Sequence, residues 1–123
     1  MPRHTAQRTA IRAAIEAADG PLTPQEVLDA ATPDAPGLGI ATVYRALSAG
    51  VEDGWLQAVH LPIGPTRYEP AHRQHHHHFR CTACDRVFDL QGCPGNLQEL
   101  LPPGFQLEQH DITLHGKCAK CAN

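Results

Sequence analysis

Ten consecutive positions, His75-His76-His77-His78-Phe79-Arg80-Cys81-Thr82-Ala83-Cys84, hold six side chains able to bind a metal ion, and a second C-x₂-C pair follows at Cys118 and Cys121. A two-residue gap lets both thiolates of such a pair reach one ion, and two pairs supply the four sulfurs of a structural tetrahedral zinc site. The histidines need a separate argument. If His75 to Phe79 is extended, successive side chains alternate between faces, so His75 and His77 point one way and His76 and His78 the other. One histidine run can therefore feed two sites.

Three plainer readings stand beside this one. A purification tag is expected at a terminus, whereas this run lies mid-chain beside a cysteine pair. A solvated polar loop is a second reading. Disulfides are the third, but they need an oxidising compartment, and no signal-peptide pattern precedes the first expected helix.

At 123 residues, the chain is one domain or two very small ones, and neither half alone buries much apolar surface. Metal and self-association are the expected supplements. No apolar run approaches the roughly 20 residues of a membrane span, so a cytoplasmic protein without a membrane segment is expected. The net charge of −3 makes no general case for nucleic acid, yet Arg3, Arg8 and Arg12 all precede the first acid, Glu16. A zinc hydrolase or deaminase is not expected: H-E-x-x-H is missing, as is H-x-E paired with P-C-x-x-C. A zinc-ribbon adaptor that binds only protein is the reading from another class.

The elements that position these residues follow from spacing. Ile11, Ala14, Ile15 and Ala18 recur at helical intervals and predict a helix over about 5–18, ended by Asp19-Gly20-Pro21. Thr23-Pro24-Gln25-Glu26 opens a second, with Thr23 as N-cap and Glu26 closing a capping box. Residues 32–39, rich in Pro and Gly, predict a loop. A third helix is expected over Ile40 to Asp53, burying Val43, Leu47 and Val51 and exposing Tyr44 and Arg45, with Gly54 as its stop. Residues 55–61 and 67–69 flank a turn and predict a hairpin. Helix, helix, helix, hairpin is the order of a winged helix-turn-helix, whose third helix reads the major groove; a plain small helical core is the bland alternative. Beyond 70–74, the sequence predicts short strands at 76–80 and 86–90, a helix at 96–101 and a last strand at 106–115. The expected fold class is α+β: a winged-helix domain at 1–70, a hinge at 71–74 and a small α/β domain at 75–123.

Thr5-Ala6-Gln7-Arg8, Ala41-Thr42-Val43-Tyr44-Arg45, Arg67-Tyr68-Glu69, the His75–Cys84 block and Cys118–Cys121 resemble, in order, the ferric uptake regulator superfamily, most closely its zinc-uptake branch. The resemblance implies a homodimeric, metal-activated repressor that binds a palindromic operator in double-stranded DNA. It implies base contacts from Tyr44 and Arg45 and a backbone or minor-groove contact from Arg8. It implies structural zinc on Cys81, Cys84, Cys118 and Cys121, and a sensing site on Glu69, His76, His78 and Asp89. A histidine common in the family near the second helix has no counterpart here. Pro21 takes roughly that place, leaving His60, His72 or a smaller ligand set. A third site implied by the resemblance uses His75, His77 and His110, with Cys93 or Glu99 in the acidic place; Cys93 also reads as a small apolar residue.

An ion held by Glu69 from one half and by His76, His78 and Asp89 from the other would clamp the hinge. Metal and DNA affinities would then be linked reciprocally. Imidazole with carboxylate suits zinc, iron(II) or manganese, and affinity order favours zinc. Zinc regulation is the expectation, and iron, manganese or peroxide sensing is the alternative.

Overall fold

In a computed structural model describing residues 3–122, the chain divides between Arg73 and Gln74 into two compact units. The first carries three helices, α1 (Arg3–Ala17), α2 (Pro24–Ala31) and α3 (Ile40–Asp53), then an antiparallel pair, β1 (Leu56–Val59) and β2 (Arg67–Pro70). The capping box at α2 forms: Glu26 N–H donates to Thr23 Oγ1 at 3.1 Å, and Thr23 N–H donates to Glu26 Oε1 at 2.9 Å. Gly54 ends α3 at φ 89°, a left-handed cap that glycine reaches without steric cost. Leu22 pairs with Tyr68 through two backbone hydrogen bonds, so the hairpin is tied to the approach to α2.

Ile11, Ile15, Val27, Val43 and Leu47 are fully buried at the centre of this unit. Each contributes about 1.5–3 kcal/mol. By contrast, the exposed Arg12–Glu16 pair at 3.6 Å contributes under about 1 kcal/mol. Two sequence expectations change. Val51 is 40% exposed, and Gly50 takes the buried place instead. A Cβ there would lie 2.6 Å from Leu56 Cδ1 and 2.9 Å from Trp55 Nε1, so β1 packs against bare backbone. The expected loop at 32–39 also contains a 3₁₀ turn, Thr32–Asp34, because α2 tightens as it ends.

The second unit is a three-stranded mixed sheet in the order β4-β3-β5, with β3 (His77–Cys81) in the middle. β4 (Val87–Leu90) pairs antiparallel, placing His78 opposite Asp89, and β5 (Thr113–Gly116) pairs parallel, placing His78 opposite Thr113. The last strand is much shorter than expected, starting at Thr113 rather than Gln106. The expected helix at 96–101 is only a 3₁₀ turn, Leu97–Leu100: Asn96 sits left-handed without capping it, and Pro102-Pro103 follow at once. Among the described residues of this unit only His77, Cys81 and Val87 are buried. So small a core needs another source of cohesion.

Candidate metal centres

The first centre gathers the four knuckle cysteines. Cys81 ends β3, Cys84 follows in the turn, and Cys118 and Cys121 lie just beyond β5, which runs beside β3; Thr82 N–H donates to Gly116 O at 2.7 Å. The four sulfurs lie within 4.8 Å of one another, with Cys84 Sγ 4.0 Å from Cys118 Sγ. Two thiolates on one zinc stand about 3.8 Å apart, given Zn–S bonds of about 2.3 Å. All five cysteines are free thiols, so the disulfide reading does not hold. Backbone N–H groups of Cys118 and Cys84 each donate to Cys81 Sγ at 3.4 Å. These, Cys118 N–H foremost, pull the Cys81 thiol down to about 6. Cys118 is also lowered, chiefly by the Cys121 N–H. Cys121 is pushed up to about 12, first by its hydrogen bond with the Cys118 sulfur and then by that with Cys81. The knuckles thus favour thiolates while their crowding leaves one sulfur holding its proton. A divalent cation resolves that conflict, so this donor set fits zinc.

A second cluster lies on one face of β3. His75, His77, Cys93 and His110 present donor atoms within 4.8 Å of one another. Cys93 Sγ is 2.8 Å from His110 Nε2 and 3.3 Å from His77 Nε2, and His75 Nε2 is 3.2 Å from both His77 Nε2 and His110 Nε2. Ile112 N–H donates to His77 Nδ1 at 3.1 Å, which puts the proton of neutral His77 on Nε2, facing the sulfur. Burial first, then the His75 and His110 charges, lowers the His77 pKa and keeps that ring neutral. A metal entering here displaces a proton. Of the two residues left open for the acidic place, Cys93 is in the cluster and Glu99, on the 3₁₀ turn, is not.

On the other side lie His78, within β3, and His76, just before it. Both Nε2 atoms approach Asp89 Oδ1, at 3.4 and 3.5 Å, across the antiparallel pair. His76 Nδ1 lies 2.9 Å from Gln74 O and donates to it, leaving Nε2 as the bare donor that a metal ligand requires. Nothing in the sequence marks the Gln74 and Ile112 backbone groups for these orienting roles. They depend on where the chain bends. Glu69, on β2 of the first unit, is buried. His60 is on the hairpin loop, 3.3 Å from Thr66 Oγ1 through Nδ1, and His72 is exposed at φ 65°.

On the first unit, Tyr44 is 54% exposed and Arg45 also faces solvent, its Nη2 donating to Thr42 Oγ1 at 3.0 Å. Arg8 is exposed on α1, whereas Arg12 stacks over Trp55 with its guanidinium 4.4 Å from the ring. A tyrosine and an arginine projecting from the third helix can meet base edges, and a free arginine can meet phosphate.

Comparison with known proteins bears on these features together. The sequence model of the ferric uptake regulator family matches residues 2–115. The ferric uptake regulation protein of Campylobacter jejuni is 29% identical over 127 aligned residues, spanning 98% of this chain and 80% of that one. A zinc-bound manganese uptake regulator, 22% identical, superposes with a TM-score of 0.78 over 91% of this chain and 87% of its own. The zinc uptake regulator FurB of M. tuberculosis, 27% identical, does so with a TM-score of 0.53 over 97% and 95%. With three helices and a hairpin ahead of a mixed sheet rich in metal donors, and a family match across nearly its whole length, the chain belongs to the ferric uptake regulator family of metal-responsive transcriptional regulators, which are not enzymes.

Proposed function

We propose that this protein is a zinc-responsive repressor that binds a palindromic DNA operator as a homodimer in the cytoplasm, controlling metal-uptake genes. The observation that carries the zinc reading is the sulfur of Cys93 among three imidazoles. A site of three nitrogens and a thiolate suits zinc and other thiophilic ions and disfavours iron(II) and manganese(II). Its similarity to the M. tuberculosis zinc uptake regulator supports the same choice.

In this reading Cys81, Cys84, Cys118 and Cys121 hold structural zinc. Glu69, His76, His78 and Asp89 form the regulatory hinge site, and His75, His77, Cys93 and His110 form a third. Zinc supplies a Lewis-acidic centre that draws these donors into one fixed arrangement. The filled state presents two reading helices about 34 Å apart, one DNA turn, to the two half-sites. Tyr44 and Arg45 read bases and Arg8 grips the backbone. A second copy would cover the exposed Leu100, Phe105, Leu107 and Leu114 of the second unit.

Iron or manganese is the second reading, favoured by the nitrogen and oxygen donors of His76, His78 and Asp89 and by the Campylobacter relative. Competitive titration of zinc, iron(II) and manganese(II) into protein retaining only its cysteine-bound zinc, with operator affinity as readout, separates the two. Zinc should activate at the lowest free concentration. Activation by iron or manganese with zinc silent would reverse the assignment.

A further inference from the structure

Resting on the reading that Arg45 meets a base edge, we infer that Thr42 is the residue that positions it, holding the guanidinium ready for a two-pronged contact with a guanine in each half-site. Arg45 is the only cation on α3, so the helix's power to read a guanine depends on one long, flexible side chain. Thr42 stands one turn back on the same helix surface, and its Oγ1 accepts the Arg45 Nη2 N–H at 3.0 Å. Being β-branched, Thr42 has few rotamers of its own in a helix. The anchor is stiff where the arginine is not.

The chemistry of that anchor suits the task. The residues one turn either side of Arg45 on its helix face are Ala41, Thr42, Ser48 and Ala49, and the acids of α3, Glu52 and Asp53, stand at its far end. A carboxylate in place of Thr42 would also fix the arginine, but it would offset the positive charge and repel DNA phosphates. A hydroxyl oxygen accepts one N–H and leaves the charge intact. Nη1 and the second Nη2 proton are left to reach guanine O6 and N7, the commonest specific contact of arginine with DNA. Part of the ordering of Arg45 is thus complete before a duplex arrives, a saving of about two- to tenfold in affinity for one such side chain. The bond is solvent-exposed and adds little to folding, so its effect belongs to recognition.

The test uses full-length zinc-loaded protein and a duplex that the wild type selects from a random pool, with copies in which each G·C pair of the half-sites is changed in turn to A·T. Arg45→Ala should lose discrimination at one pair, which identifies the guanine. Thr42→Val keeps the branched shape and a comparable helix propensity but removes the acceptor. It should lose about two- to tenfold of the discrimination at that pair and none at the others, with an unchanged melting temperature. Thr42→Ser should restore the discrimination, and Thr42→Val added to Arg45→Ala should change nothing further. Full discrimination by Thr42→Val, an equal loss at every pair, or a further loss in the Arg45→Ala background overturns the inference. A separate outcome addresses the reading beneath it: if Arg45→Ala discriminates as well as wild type at every pair, Arg45 does not read bases, and the inference falls with that reading. Thr42→Ala serves if the valine variant fails to fold.

Discussion

Arg67 on β2 donates through Nη1 to Glu26 Oε1 on α2 at 2.7 Å, and that same oxygen accepts the Thr23 N–H of the capping box. Arg67 is 4% exposed, and its Nη1 also reaches Pro21 O at 3.3 Å. One carboxylate oxygen thus serves both the start of α2 and the hairpin behind it.

Arg67→Met should therefore loosen hairpin and helix together. Removing one partner of a buried, charged hydrogen bond costs about 2–4 kcal/mol. Denaturant unfolding should show that loss, while Glu26→Gln, which keeps an acceptor, should lose less. Equal stability of Arg67→Met and wild type would show the pair to be incidental.

Cys81→Ser should remove zinc from the knuckles and unfold the second unit. Structural zinc contributes on the order of 10 kcal/mol in small domains, and little buried apolar surface stands behind it here. Metal analysis with circular dichroism checks this. A folded second unit lacking zinc would contradict it.

His78→Ala and Glu69→Ala should spare the knuckle zinc and the fold yet abolish metal-dependent operator binding, read by gel shift with added metal. Persistent metal-dependent repression by either variant would place the regulatory site elsewhere.

Tyr44→Ala and Arg45→Ala should each weaken specific operator binding by about 1–3 kcal/mol, and Arg8→Ala should weaken binding alike on all sequences and lower the salt slope by about one. Metal content, measured in parallel, should stay unchanged in all three.

Acid should destabilise the second unit through His77 when only the cysteine-bound zinc is in place. Its pKa is lowered by burial, then by His75 and His110. As pH falls below the ordinary value of about 6.5, the unfolded chain takes up a proton that the folded ring resists. Stability is thus lost from about 6.5 downward until the folded value is reached. His77→Gln should flatten this dependence in thermal melts, between pH 7.5 and 5, of protein retaining only its cysteine-bound zinc.

What the sequence determined by itself is what depends on neighbours along the chain. The C-x₂-C spacings, the alternation of four histidines between two faces, the capping box at Thr23 and Glu26, and the exposure of Tyr44 and Arg45 are local consequences of backbone period. Tertiary structure decided what depends on distant segments arriving together. Parallel pairing of β5 with β3 carries the second cysteine pair alongside the first. The loop after β4 delivers Cys93, and not Glu99, to His75, His77 and His110. Gly50 displaced Val51 from the core because Leu56 and Trp55 pack where a side chain would stand. Such choices depend on the space and polar partners that one segment offers another, and no pattern within a single segment encodes them.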